Sequence, residues 1–374
     1  MPWKETNTMS LRREFVSFAS QPGANIRELC RRFGISPTTG YKWLQRFREE
    51  GDSGLRDRSR RPESSPRRCP HAIEKIVVDL RDLHPMWGGR KISKRLRDLH
   101  VPGIPVPSTV TNILRRHGRL SEERARTTPF QRFERGKPNE LWQMDFKGDF
   151  PLQAGRCYPL TILDDHSRFS LAVRSCSDQQ RGTVRGHLES VFRRYGLPEG
   201  ILTDNGPPWR AVGNVGLTRL AAWLVQLGIR LHHSRPRHPQ TLGKEERFHR
   251  SLNAEVIQRY RPNDHEQCQL VFDAWREVYN SERPHEALDL EVPASRYRPS
   301  PRPFPESLPQ MVFGPDDLVR KVDVVGRISY RNRPFRVSRA LAGKLVALRP
   351  STTDGVLEVF YFHHRVVKLD VRRA

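Results

Sequence analysis

"LWQMDFKGDF", Leu141–Phe150, is where the chain changes from helical to strand-like reading. With "CYPLTILDDHSRFSLAVRSC" (157–176) and "EGILTDNG" (199–206) it forms strand-like runs rich in β-branched and aromatic residues, punctuated by Gly and Asp-Asp turns. Gln180 to Tyr195 reads as a helix between them. "LTRLAAWLVQLG" (217–228) places Leu217, Leu220, Leu224 and Leu227 on one helical face, with Gly228 as a stop. The strand "IRLHHSR" (229–235) follows, then a helix that begins near Gly243, and a further helix, "DHEQCQLVFDAWREVYN" (264–280), leads to "SERPHEAL" (281–288). Three strands, helix, strand, helix, strand, helix is an α/β order with a hairpin-connected start.

Upstream, "GANIRELCRRFGISPTTGYKWLQRFREEG" (23–51) has the grammar of a helix-turn-helix. Asn25 caps a first helix with Glu28 as its reciprocal partner, and Ile26, Leu29, Cys30 and Phe33 form the buried stripe. Gly34 makes the turn. Ser36 caps a second helix with Pro37 at its first position, and Tyr41, Leu44 and Phe47 are expected to face inward. That leaves Thr38, Thr39, Lys42 and Arg46 on the outer face, where a recognition helix contacts DNA. "SGLRDRSRRPESSPRRCP" (53–70) has no apolar period and reads as a linker whose arginines, Arg60 and Arg61 among them, can follow a DNA groove. Three amphipathic helices after it suggest a second helix-turn-helix; the last has Ser108 near its start and Gly118 just past its end. Its Lys91, Lys94, Arg95 and Arg97 are candidate DNA contacts, with an ordinary solvated face as the competing reading.

Downstream, "RPSPRPFPESLP" (298–309) reads as a proline linker. The tail from Gly326 alternates at period two, with hairpin signals at Arg331-Asn332 and Asp354-Gly355, and is expected to form a small antiparallel β-barrel. The resulting layout is a helix-turn-helix domain over 1–52, a second over 71–120, an α/β core over 137–297 and a barrel over 313–374. Linkers are expected over 53–70, 121–136 and 298–312.

Length favours several cores, since 374 residues exceed one ordinary domain. A formal charge of +24 favours a polyanionic partner, nucleic acid first. The charge is uneven: residues 1–135 hold 29 Lys and Arg against 15 Asp and Glu, a surplus of +14. No apolar run approaches the ~20 residues of a spanning helix, and the start lacks the apolar core of a signal peptide. A cytoplasmic, nucleoid-associated protein with no membrane partner is expected. The five cysteines, Cys30, Cys69, Cys157, Cys176 and Cys268, are scattered without a C-x-x-C pair, against both a disulfide framework and a structural zinc site.

Three carboxylates occupy places where a site can assemble: Asp145 inside "WQMDF", Asp204 after "GILT", and Glu246 in the first turns of a helix. A buried unpaired carboxylate is costly, and cation binding is one reason to keep Asp145 there. Hard divalent ions take oxygen ligands, and a pair of them suits in-line displacement at phosphorus. Other readings are open on residue physics alone. Asp204-Asn-Gly is a common turn, Asp164-Asp165 reads as a hairpin turn outside the site, and Glu245 and Glu246 both suit a helix N-terminus. Helical geometry does not choose between those two glutamates: with Phe248, Leu252 and Val256 inward, Glu245 projects near the middle of the apolar face and Glu246 toward its rim.

"WQMDF", "TDNG" and "HPQTLGKEERFHRSL", with "YNSERPHEAL" after them, resemble as a set the integrase-type core of bacterial insertion-sequence transposases, DDE recombinases related to retroviral integrases. The likeness extends to the helix-turn-helix modules and the C-terminal tail. It implies a central ribonuclease H-like core and a catalytic, metal-binding triad of Asp145, Asp204 and Glu246, the Gly-Lys-x-Glu-Arg pattern selecting Glu246. It implies Mg²⁺, two ions per site, with Mn²⁺ able to substitute, and DNA contacts from His238, Lys244 and Arg247 beside the site. The implied activity is nicking of element ends followed by joining of the 3′-OH to target DNA, without a covalent protein intermediate. The partners are double-stranded DNA, as terminal inverted repeats and target, and further copies of the chain, as a dimer or more. Two features depart from the pattern. The 41 residues between Asp204 and Glu246 exceed the spacing common in the wider family, and no zinc-binding His/Cys domain is present. A non-catalytic DNA-binding regulator derived from such a transposase is the competing class, and a structure-selective nuclease is the competing enzyme.

Overall fold

The computed structural model describes residues 7–59, 68–120, 134–209, 217–233 and 243–372. It divides into two compact units, Met1–Arg68 and Cys69–Ala374.

The first unit holds helices α1 (Thr8–Ala19), α2 (Ile26–Arg32) and α3 (Pro37–Glu50). Both expected caps form: Asn25 Oδ1 accepts from the Glu28 amide at 3.2 Å, and Ser36 Oγ accepts from the Thr39 amide at 3.2 Å. Helix α1, capped by Asn7, completes the core with Phe15, Val16 and Ala19. On α3, Leu44 and Phe47 pack inward as expected, but Tyr41 does not, and Trp43 takes its place. Trp43 and Leu44 face inward while Tyr41 is 54% exposed. Gly40 explains the turn of the helix: a Cβ there would sit 2.4 Å from Cys30 Sγ and 2.9 Å from the Phe15 ring, so α1 and α2 press against α3 at this point.

The second unit begins with α4 (His71–Leu83), α5 (Gly89–Asp98) and α6 (Pro107–Arg116), closed around Val77, Trp87, Ile92, Leu96, Val110, Ile113 and Leu114. Pro107 starts α6 and Gly118 follows it at φ +65°.

The core sheet contains β1 (Trp142–Phe146), β2 (Phe150–Pro151), β3 (Arg156–Asp164), β4 (Ser170–Cys176), β5 (Gly200–Thr203) and β6 (Arg230–His233). Strands β4, β3 and β1 are antiparallel neighbours, and β1, β5 and β6 run parallel; β2 is a short extension paired to β3. Helix α7 (Arg181–Tyr195) links β4 to β5, and α8 (Arg219–Gln226) links β5 to β6. Helices α9 (Gly243–Leu252) and α10 (His265–Ser281) pack Phe248, Leu252, Phe272 and Trp275 against Cys157, Leu163 and Val173 of the sheet. This is the α/β order expected from the sequence.

Helix α8 is apolar on nearly every side because two cores share it. Leu220, Trp223 and Leu224 pack on the sheet, while Ala221, Ala222 and Val225 pack on the C-terminal strands. Those strands are β7 (Leu318–Lys321), β8 (Arg327–Tyr330), β9 (Arg333–Arg336), β10 (Leu345–Pro350), β11 (Val356–Tyr361) and β12 (His364–Asp370). They form an open four-stranded sheet in the order β12-β11-β10-β7 and a separate β8-β9 hairpin, in place of the closed barrel expected. The Arg331-Asn332 turn forms as expected, both residues at positive φ.

The proline-rich stretch is a strap rather than a free linker. The Leu197 amide donates to the Arg302 carbonyl at 2.7 Å, and Arg302 donates to the carbonyls of Pro198 and Leu227 at 2.7 and 3.0 Å. Tyr297 stacks on Phe169 at 4.3 Å and Phe304 on Phe192 at 6.2 Å between ring centres. Among the described residues no helix is long and apolar enough to cross a membrane, and all five cysteines are free thiols.

Candidate active site and nucleic-acid contacts

Strands β1 and β5 are parallel neighbours, Trp142 opposite Ile201 and Gln143 opposite Leu202. Asp145 therefore stands near the carboxyl end of β1 and Asp204 just past the carboxyl end of β5, the edge at which open α/β sheets bind ligands. Glu246 lies in the first turn of α9. Asp145 and Asp204 are half-buried and Glu246 is exposed.

Asp145 Oδ1 accepts from the Phe146 amide at 2.9 Å, and Asp204 Oδ1 accepts from the Gly206 amide at 3.1 Å. Burial, then the charge of Asp204, then that of Glu246 push the Asp145 carboxyl up to about 6; the Phe146 amide works against them. Asp145 therefore feels the charge of both other acids. Among the described residues none of them forms an ion pair with Lys or Arg, and no three His, Cys, Asp or Glu side chains are gathered at metal-binding distances. The donor set fits a hard divalent cation nonetheless: oxygen ligands only and, among the described residues, no basic side chain paired with them. A groove of about 810 Å³ between the end of α7 and the proline strap lies apart from these acids.

The adjacent glutamates separate as their positions on α9 imply. Glu245 is fully buried and Glu246 faces out. Glu245 Oε2 lies 3.1 Å from Thr161 Oγ1, and the same hydroxyl lies 2.8 Å from His249 Nε2. Burial first, and the Asp145 charge second, raise the Glu245 carboxyl well above its usual range. Burial pushes His249 down to about 4. His249 follows Glu245 by four residues, a spacing that puts both on one helix face and could have flagged it. Thr161 carried no such signal.

Asp164 and Asp165 are structural, as their turn position implies. Asp164 accepts from the Asn139 and Ser167 amides at 2.8 Å each, and Asp165 accepts from the Gln143 amide group at 2.7 Å. Lys244 was expected to touch DNA, but its ammonium donates to Asp165, at 3.0 Å to the carbonyl oxygen and also to the carboxylate. Burial lowers it to about 8 despite that partner. Arg247 is exposed on α9. His238, Arg60 and Arg61 lie outside the described residues.

On α3, Thr38 and Lys42 are exposed. Thr39 sits 2.9 Å from the Ser36 hydroxyl, and Arg46 lies over the Trp43 ring at 5.1 Å. In the second module Lys91 and Lys94, the expected DNA contacts, face the α/β core. Lys94 pairs with Glu291 at 3.2 Å and Asp98 at 2.7 Å, the neighbouring Arg95 pairs with Glu282, and burial lowers Lys91 to about 8. Glu291 and Glu282 lie almost two hundred residues away, so no local pattern revealed those two pairings.

Family comparisons match the chain in pieces. The Integrase core domain matches residues 135–239, with a second integrase core description over 227–293. A helix-turn-helix domain matches 11–63 and a homeodomain-like domain 39–114. The IS481 family transposase C-terminal domain matches 317–374. Among curated relatives, an uncharacterized 39.2 kDa protein of insertion element IS476 from Xanthomonas euvesicatoria is 28% identical over 61% of this chain and 65% of its own length. An uncharacterized 31.7 kDa protein of insertion element IS407 from Burkholderia multivorans is 26% identical over 42% of this chain and 55% of its own length. The chain thus spans less than two thirds of either relative. Of solved structures, an intasome of simian T-cell lymphotropic virus in complex with a PP2A regulatory subunit matches at 18% identity and TM-score 0.39, covering 78% of this chain and 98% of that one. The HTLV-2 integrase catalytic core in complex with magnesium matches at 16% identity and TM-score 0.33, covering 44% of this chain and 99% of that one.

Proposed function

We propose, from its likeness to bacterial insertion-sequence transposases with an integrase-like core, that this chain binds the terminal repeats of such an element, nicks their 3′ ends and joins them to target DNA. The observation that carries the enzymatic reading is the half-buried Asp145, raised toward neutrality first by burial and then by Asp204 and Glu246, and without a basic partner among the described residues. A regulator that only binds DNA has no use for such a destabilising cluster.

In this reading Asp145, Asp204 and Glu246 are the catalytic residues and hold divalent metal, Mg²⁺ in pairs or Mn²⁺ in its place. When bound, the metal supplies Lewis-acid stabilisation to the attacking and leaving oxygens of a displacement at phosphorus. Water attacks first, forming a P–O bond as the P–O3′ bond breaks and the 3′-OH leaves. That 3′-OH then attacks a target phosphodiester, and the target's own 3′-OH is released, so one site serves both steps by exchange of nucleophile. Thr38 and Lys42 contact the terminal repeat, and Arg247 holds backbone phosphate beside the acids. Two ends cut in concert call for a dimer or larger assembly. The domain limits 1–52, 71–120, 137–297 and 313–374 belong to the same proposal.

The test incubates the full chain with Mg²⁺ and labelled DNA carrying candidate terminal repeats. Nicked 3′ ends and strand-joined products are expected from the wild type and neither from Asp145→Asn. End binding without either product, identical in wild type and variant, returns the protein to the regulator class.

A further inference from the structure

The buried half of the glutamate pair has no task in that chemistry. Thr161 on β3 stands opposite Asp145 on β1 in the strand ladder. Its hydroxyl lies 3.0 Å from the Asp145 backbone carbonyl, 3.1 Å from Glu245 Oε2 and 2.8 Å from His249 Nε2. One hydroxyl therefore touches both elements that carry the outer acids, β1 through Asp145 and α9 through Glu245 and His249. A hydroxyl has a single proton and two lone pairs, so these contacts are shared and directional. Among the described residues Glu245 Oε1 is buried without a hydrogen-bond partner, and Thr161 and His249 are the polar contacts of this side chain that fix its depth.

Successive residues on a helix are about 100° apart, so the depth and rotation of Glu245 dictate where Glu246 points. Lys244 on Asp165 adds a second anchor on the same turn. We propose that Thr161, Glu245 and His249 form a buried positioning clamp between β1 and α9, which fixes where Glu246 stands relative to Asp145, the two acids that a bound metal ion would share. The clamp rests on the reading of Asp145 and Glu246 as ligands, but its residues are positioning residues and do not touch the metal themselves.

The test titrates Mn²⁺ into the full chain without DNA and follows binding by loss of the free-ion electron paramagnetic resonance signal, with a thermal melt of each metal-free variant. Thr161→Val, which removes the hydroxyl at constant shape, is expected to weaken Mn²⁺ binding about tenfold while the melt stays near wild type. Thr161→Ser restores it. Glu245→Gln, which keeps an oxygen at the same place, binds within a few-fold of wild type, and Glu246→Gln loses binding. Wild-type affinity in Thr161→Val, or failure of Thr161→Ser to rescue, overturns the clamp. If Thr161→Val does not fold, His249→Leu is expected to show the same weakening, and unchanged affinity there also overturns it. Full binding by Glu246→Gln instead overturns the ligand assignment itself, separately from the clamp.

Discussion

Asp145 carries the electrostatic cost of the site. Its carboxyl is raised from 3.8 to about 6, chiefly by burial and then by Asp204. The folded protein prefers the protonated acid, so the metal-free chain loses stability as pH rises from about 4 to 6 and levels off above. Asp145→Asn carries no charge and escapes that loss. It is expected to exceed wild type by about 1–3 kcal/mol at pH 8, the advantage fading as pH falls through 6 and absent below 4. Urea melts in chelator at the two pH values check this, and an advantage of equal size at both ends contradicts it. The separation of the two glutamates was half legible in the sequence: the apolar phase of Phe248, Leu252 and Val256 put Glu245 inside and Glu246 at the rim. How each stands to Asp145 and Asp204 needed the sheet, because those two come from strands far apart in the chain.

At the scale of elements, the helix caps and turns were legible because each is a local bargain between a side chain and a few backbone groups. Asn25, Ser36, Gly118 and the Arg331-Asn332 turn all behave as their positions imply. On α3, Leu44 and Phe47 were legible but the choice of Trp43 over Tyr41 was not, since the two offer aromatic rings on different faces. Packing chose through Gly40, where the two other helices come closest. Gly40→Ala is accordingly expected to destabilise the first unit by about 1–3 kcal/mol through overpacking. The exposed Gly186 in the middle of α7 has open space around its Cβ position. There Gly186→Ala is expected to stabilise by about 0.5–1 kcal/mol. Denaturant melts that moved both variants in the same direction would show that contact with α1 and α2 does not govern position 40. The proline strap and the face of α5 escaped the sequence for one reason: their partners are distant carbonyls and carboxylates that composition cannot reveal.

For the whole molecule, the charge of +24 implies DNA affinity that falls steeply with salt. Its basic residues are not equivalent, however. Lys42 is exposed on α3, whereas Lys91 and Lys94 are turned to the α/β core. Lys42→Ala is expected to lower the slope of log affinity against log salt by about 1, and Lys91→Ala to leave it unchanged. An equal drop from Lys91→Ala would mean that the second module presents that face to DNA. The layout of helix-turn-helix, α/β core and C-terminal strands was legible from changes in periodicity and from proline and arginine runs. Whether the C-terminal strands close was not, because closure depends on pairing between β-strands that period two leaves unspecified. The central claim is that Asp145, Asp204 and Glu246 together hold divalent metal, and anomalous scattering from crystals of the full chain soaked in Mn²⁺ tests it most directly. The account predicts a peak at about 2.0–2.3 Å from carboxylate oxygens of all three residues; a peak bound by Glu245 in place of Glu246, or none at these acids, would contradict it.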